Sequence, residues 1–390
     1  MKSAGEISFL TPVEPRASKQ KPESGPRILF FSGGSALRAL SQKLIGFTHN
    51  SIHIITPFDS GGSSAVLRDA FAMPAIGDIR NRLMALADPN FQGNSALLDL
   101  FGYRLPSTQT RKQLLWTLIN LLQGNHDLVR ALPEPSRRVI CRHLHLFYES
   151  MPQGFDLSGA SIGNLVLTAA YLDSNRDMDA VISLYSQLAA VRGTVRPVVQ
   201  GNYHLGAYLA DGQRVVGQHL LTGKQTAHIL SPIKSLFLTS NKSDAPCQVQ
   251  ADPQVVDLIS RAELICYPMG SFFTSLVANL LPQGVGTGIE QAICPKVFVP
   301  NTYHDPECLE MTLQDQVRLL NNLARESPGG QGLNFILVDT RLNRYPGSVD
   351  VKALGSLGVE VVSAPLVTAQ SAPAIDPHCL IQALFALLQA

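Results

Sequence analysis

Two glycine-rich turns hold the residues of this sequence best suited to chemistry. The apolar run Arg27–Ser32 empties into Gly33-Gly34-Ser35-Ala36, and the run Ser51–Thr56 leads into Asp59-Ser60-Gly61-Gly62-Ser63-Ser64. Glycine lets backbone N–H groups approach phosphate oxygens closely, and a following helix presents its positive end. Gly33, Gly34, Ser35, Gly61, Gly62 and Ser63 are therefore candidate phosphate ligands. One helix terminus contributes only about 0.3–1 kcal/mol toward an anion, so tight binding needs several such turns to converge. A third candidate follows the run Leu264–Cys266, where Gly270, Ser271, Thr274 and Ser275 gather hydroxyls and amides within one helical turn. Taken singly, each turn also reads as an ordinary strand-to-helix turn or a serine-capped helix start.

Asp59 is the only acid on its turn. It suits a hydrogen bond to a ribose or polar ring, or a Mg²⁺ ion held between phosphates; its plain alternative is to cap the following helix. In Gly77-Asp78-Ile79-Arg80-Asn81, Arg80 offers a fork for a phosphate, while Asp78 caps the next helix or pairs with Arg80. Asp59, Asp78 and Arg80 are the candidates for catalytic work, Asp59 is the candidate metal ligand, and Mg²⁺ is the implied cofactor. His304-Asp305 follows a strand ending at Val299, at the edge where such sheets meet ligands. Cys141-x-His143-x-His145 is a weak metal signal, because 141 and 145 share a helix face and 143 does not. The sequence has no hydrolase elbow, no HExxH and no obvious nucleophile.

The elements that must carry these residues alternate between strand and helix. Arg27–Ser32, Ser51–Thr56, Leu264–Cys266, Lys296–Val299, Asn334–Asp339 and Glu360–Ser363 read as buried strands, with helices between them and a closing helix over Pro377–Leu388. This predicts an α/β fold: a Rossmann-like parallel sheet with helices on both faces, built from the two ends of the chain. Residues 27–87 and 251–390 are the expected nucleotide-binding core. Residues 88–150, leucine-rich and broken by Asp-Pro, Leu-Pro and Glu-Pro, are expected to form a helical insertion. Residues 151–250 are expected to add helices and a small β subdomain around an Asp211-Gly212 hairpin, with Arg196–Val199 as one of its strands.

Bulk properties narrow the function. The chain has 390 residues, 45% of them apolar and 16% charged, as in an ordinary globular protein. A formal net charge of +1 supplies no field for nucleic acid. No run is long enough to span a bilayer. Residues 1–26, rich in Pro, Ser, Lys and Glu, read as a disordered tail and not as a signal peptide. Six scattered cysteines without a CxxC pair point to reduced thiols and a cytoplasmic protein.

With the motifs in order, a resemblance becomes visible. GGSA, FDSGGSS, GDIRNRLMALAD, SGASIGNLVL, AVRGTVRPV, GSFFTSLVANLL and PN resemble, in sequence, one family. It contains the 2-phospho-L-lactate transferases (CofD) of deazaflavin coenzyme synthesis and the bacterial gluconeogenesis factors that bind UDP-sugars. The likeness runs from about Arg27 to the C-terminus and is nearer the gluconeogenesis-factor branch, on Gly159–Leu167 and Val191–Pro197. It implies a nucleotide over the strand C-termini, contacted by Gly33, Gly34, Asn164, Gly270, Ser271 and Ser275. It also implies Asn301 of the Pro300-Asn301 pair as a contact, and Asp59 with Asp78, Arg80 and Asn81 near the transferred group.

The sequence departs from the family pattern at its chemical end. Ala36 replaces a glycine, the paired acids of ADDGG become Asp59-Ser60, and the late Asp-His becomes Asp315-Gln316. Two functions follow. One is a nucleoside-diphosphate-dependent transferase that moves a phospho-acid, phospholactyl-type group to an acceptor hydroxyl. The other is a non-catalytic regulator that reads a UDP-sugar or related nucleotide, with a homodimer contact or a protein partner expected at the helical insertion. A nicotinamide-dependent oxidoreductase, suggested only by the acid after the second strand, ranks below both.

Overall fold

In the computed structural model, residues 6–13, 21–34, 36–223, 228–242, 245–327 and 332–389 are described. Ser35 lies outside them. The strands in chain order are β1 Ser8–Phe9, β2 Ile28–Ser32, β3 Ile52–Ile55, β4 Thr194–Pro197, β5 His204–Leu209 and β6 Arg214–Val216. Then come β7 Ile233–Thr239, β8 Leu264–Tyr267, β9 Lys296–Phe298, β10 Phe335–Asp339 and β11 Glu360–Ala364. Eight of them form one sheet in the order β1-β11-β10-β9-β8-β2-β3-β4, and every neighbouring pair is parallel.

A parallel sheet is buried on both faces, so its strands are apolar throughout rather than alternating. β2 reads Ile-Leu-Phe-Phe-Ser, with all five residues buried. Ile28 and Phe30 pack with Leu264, Val297 and Leu337 under the helices Arg38–Leu44 and Pro377–Leu387. Leu29 and Phe31 turn to the other face, where the Phe31 and Tyr267 rings stack with centroids 5.5 Å apart. From β2 the chain builds outward through β3 and β4 on one side and through β8, β9, β10 and β11 on the other. The two directions part between β2 and β8, which is the switch point of the sheet.

Contacts divide the chain into two units. The first comprises Met1–Thr56, Gly193–Val199 and Tyr203–Ala390, within which the described residues hold both sheets; the second comprises Pro57–Arg192 and Gln200–Asn202 and is helical. This is a different division from the expected breaks after 87, 150 and 250. In the second unit the helix Ile162–Asp173 is buried all round from Ile162 to Tyr171, as expected of a helix enclosed by others.

Two expectations change. The segment read as a disordered tail contributes β1, which pairs Ser8 with Val362 and Phe9 with Ser363, while residues 14–20 lie outside the described set. The strand expected at Arg196–Val199 begins earlier and joins the main sheet, pairing Thr194 with Ile52 and Val195 with His53. Pro197, which cannot donate to a ladder, is tolerated because β4 is an edge strand. The small sheet is antiparallel in the order β6-β5-β7, and Gly212 takes a φ of +88° at its hairpin turn.

Asp339, fully buried at the end of β10, ties the loops that leave β10 and β11 together. Its Oδ2 accepts from the amides of Leu366 at 2.9 Å and Val367 at 2.8 Å, and its Oδ1 accepts from Arg341 N at 2.9 Å. Asp339→Ala would orphan three amides and is expected to cost about 3 kcal/mol. A urea titration should show a lower midpoint at unchanged slope.

Candidate functional site

In the first unit the loop after β8 sits beside the loop after β2. Gly270 has a φ of +139°, and a Cβ built on it would lie 3.2 Å from Ala36 Cβ. The side chain of Asn301 fixes that glycine from the loop after β9. Gly270 N donates to Asn301 Oδ1 at 2.9 Å, and Asn301 Nδ2 donates to Gly270 O at 2.7 Å. Asn301, expected as a ligand contact, has its amide engaged on the protein backbone. Asn279 Nδ2 donates to Ser32 O at 3.1 Å and Ser275 O at 2.8 Å, joining the end of β2 to the helix that follows Gly270.

That helix opens with a π-helical stretch, Phe272–Val277, and its first amides are already taken. Phe272 N donates to Asp305 Oδ2 at 2.8 Å, while Phe273 N and Thr274 N donate to Glu307 Oε2 at 3.0 and 2.9 Å. The Thr274 hydroxyl donates to Glu307 Oε1 at 2.6 Å. Thr274, expected in a phosphate cradle, has both its amide and its hydroxyl bonded to the buried Glu307 side chain. Burial, with Asp305 beside it, pushes the Glu307 carboxyl up to about 7, against hydrogen bonds from Thr274 and Phe273 that favour its charged form. The sequence hinted at Asp305 by its position after a strand, but nothing local marked Glu307.

Further along the same loop a cavity of about 260 Å³ opens beyond β9 and β10. Pro300, Tyr303, Met311 and Tyr345 supply apolar and aromatic wall; Asp305 and Gln316 supply polar groups. Asn301 and Asp305 thus each hold the Gly270–Thr274 segment and line this cavity.

The other sequence candidates lie in the second unit. Asp59 Oδ1 accepts from Gly61 N at 3.1 Å, closing a tight turn before the helix Gly62–Phe71. Arg68, on that helix and buried, donates through Nη1 to the carbonyls of Phe58 at 3.1 Å and Asp59 at 3.0 Å. Its Nη2 reaches Asn202 Oδ1 at 2.8 Å. Burial lowers the Arg68 pKa to about 10, opposed by Asp59 and Asp69. A Cβ at Gly77 would fall 2.8 Å from Ser64 Oγ, 3.6 Å from Asp59 Oδ2 and 3.9 Å from Asn164 Nδ2. The absence of a side chain at 77 is what lets these three polar groups converge. Asn164 is 1% exposed, donates to Ser63 Oγ at 3.0 Å and leaves its Oδ1 unpartnered among the described residues.

Arg80 is held by the protein itself. Its Nη1 donates to Ser161 Oγ and its Nη2 to Asn81 Oδ1 at 2.7 Å, with Gly163 leaving room for its stem. Asp78 acts on Arg82, a buried guanidinium whose pKa burial lowers to about 10 and Asp78 raises. The Cys141, His143 and His145 side chains diverge. His143 pairs with the Tyr185 hydroxyl at 2.8 Å, His145 meets Glu149 at 3.2 Å, and Cys141 faces Leu121 O. Among the described residues no group of three His, Cys, Asp or Glu side chains could hold a metal, and no helix is long and apolar enough to cross a membrane.

The all-parallel sheet and its switch point define a Rossmann-like α/β protein. Residues 28–367 match the model of the family described as 2-phospho-L-lactate transferase CofD, and the chain belongs to that family. A gluconeogenesis factor of Bacillus subtilis is 29% identical over 361 residues, covering 88% of this chain and 92% of that protein. The gluconeogenesis factor of Listeria monocytogenes is 28% identical over 288 residues, covering 72% of this chain and 68% of its own. A Nostoc relative, 29% identical over 353 residues that cover 87% of this chain, is longer, and the match spans 63% of it. A crystal structure of a UPF0052-family protein from Bacillus halodurans has the same fold, with a TM-score of 0.69 at 24% identity, covering 93% of this chain and 99% of that one.

Glu307 makes a pH signature. A native carboxyl near 7 binds its proton more tightly than the unfolded one at 4.5, so stability should fall as pH rises between those values. Glu307→Gln should flatten that slope in urea midpoints measured across the range.

Proposed function

We propose that the chain binds a nucleoside-diphosphate-type metabolite over the switch point between β2 and β8 and acts as a metabolic regulator of the gluconeogenesis-factor kind. The observation that carries this reading is the pair of glycine loops, at Gly33 and Gly270, that leave the two strands flanking that point. Open α/β sheets take ligands in the crevice outside such strand ends. Gly33, Gly34 and Ser271 would receive the phosphates, since the amides of Phe272, Phe273 and Thr274 are committed to Asp305 and Glu307. The cavity beyond β9 and β10 would receive one end of the ligand, its aromatic wall against a ring and its polar groups on the ring edge. The name gluconeogenesis factor, carried by the Bacillus subtilis and Listeria relatives, supports a role in metabolism.

A second reading, transferase, is favoured by the convergence of Asp59, Ser64 and Asn164 about Gly77. One carboxylate and one hydroxyl suit a Mg²⁺ that keeps several water or ligand oxygens, the usual habit of this ion. Bound there, Mg²⁺ would neutralise charge developing on a transferred phosphoryl group. Asp59 would hold it, Arg68 would fix the Asp59 backbone, and Asn164 would orient Ser63.

Titration calorimetry against UDP-, GDP- and NAD-type ligands, with and without Mg²⁺, tests the first reading. Gly270→Ala should weaken binding by about tenfold or more, because a side chain at that φ strains the loop by ~1–3 kcal/mol. Undiminished affinity in this variant, or no binding of any nucleotide, would overturn the proposal. For the second reading, Asp59→Asn should abolish both the Mg²⁺ dependence and any transfer of a phospho-acid group to a hydroxyl acceptor. A Mg²⁺ response unchanged in that variant would rule out the role given to Asp59.

A further inference from the structure

The second unit contains a cavity of its own, about 280 Å³, formed by the first turns of the helix Gly62–Phe71 and by the segments around Arg104 and Phe155–Ala160. Its apolar lining comes from Val66, Leu67, Phe155, Ala160 and Leu165. Three polar side chains at this cavity have capacity left over. Among the described residues Arg104 donates through Nη1 alone, to Gly159 O at 3.1 Å and Ser63 Oγ at 3.5 Å, which leaves most of its five N–H groups for a ligand. Ser63 Oγ receives Asn164 Nδ2 at 3.0 Å as well as Arg104, while its own O–H donates to no described residue. Asp156 accepts from Ser158 N through Oδ1 at 2.9 Å and leaves Oδ2 without a donor among the described residues.

Those leftovers have a definite chemistry. A guanidinium fork and a hydroxyl donor suit a carboxylate. A carboxylate oxygen with no donor suits a hydroxyl or ammonium group. Apolar walls suit a hydrocarbon body, and the volume of about 280 Å³ falls just below the ~300–1,000 Å³ usual for drug-sized ligands, which limits the occupant to a small molecule. We propose that this cavity binds a small hydroxy or amino acid with an apolar body. Arg104 and Ser63 would take its carboxylate, Asp156 its hydroxyl or ammonium group, and Val66, Leu67 and Phe155 its hydrocarbon part. The inference draws on residues of the second unit alone; it shares Ser63 with the transferase reading and is independent of the nucleotide reading at β2 and β8.

Ligand-observed NMR titration of the full chain, without nucleotide, tests it with L-phenyllactate and L-phenylalanine as probes. Phenylethanol, which lacks the carboxylate, and lactate, which lacks the apolar body, serve as comparisons. Saturable binding of either aromatic acid is expected, with lactate and phenylethanol much weaker. Arg104→Met should weaken the acid about tenfold and leave phenylethanol where it was, at an unchanged melting midpoint. Ser63→Ala should weaken the acid by a smaller factor and keeps the test open if Arg104→Met folds poorly. Val66→Phe should abolish binding of every probe by filling the cavity. No saturable binding of either acid, or equal affinity in the native chain and both polar variants, would overturn the proposal.

Discussion

The amides that begin the helix after Gly270 have to be satisfied, and two carboxylates from the loop after β9 satisfy them. Asp305 and Glu307 accept from Phe272, Phe273 and Thr274, and Asn301 in the same loop grips Gly270 on both its amide and its carbonyl. Neighbouring strands of a parallel sheet place their exit loops side by side, and here the side-by-side loops are bonded into one piece. The glycine turn, the π-helical start and the cavity beyond β9 and β10 all inherit their shape from these bonds. A buried carboxylate with several donors is costly to desolvate and strong once paired. The loop is therefore held by hydrogen bonds to these carboxyl groups as much as by packing.

Much of the architecture could be read from the chain because a parallel sheet writes its strands as unbroken apolar runs. β2, β3, β8 and β10 lie within stretches such as Ile28-Leu29-Phe30-Phe31, which need no partner to be recognised. β4 was harder, since Thr194-Val195-Arg196-Pro197 is short, charged and ends in proline; only its pairing with β3 makes it a strand. β1 is two residues in a polar segment and is defined wholly by the strand beside it. The unit boundary after Thr56 was hidden for a similar reason, because it cuts through a stretch whose local pattern is continuous.

The candidate site was legible as residue types and less so as roles. Gly270 was recognisable from its turn, but the partners that occupy Thr274 and Asn301 come from a different strand exit. Arg80, a candidate for a phosphate, is oriented by Ser161 and Asn81, the first of them 81 residues away in the chain. Asp59 kept its prominence, but its immediate setting depends on Arg68 behind it and on a glycine 18 residues away. Spacing shows which side chains are near in sequence. It does not show which of their hydrogen-bonding positions are already filled.

The two-residue strand at the rim of the main sheet has a consequence for the edge it covers. An outermost strand of a parallel sheet exposes a row of backbone donors and acceptors that other chains can extend. Ser8 and Phe9 close that row beside Val362 and Ser363, with Leu10 N adding a further bond to Ser363 O at 2.9 Å. A strand this short offers little template beyond itself, and Phe9 lies 79% exposed on it. At this edge the ladder of β11 is thus capped by a few residues far in sequence from the strand they shield.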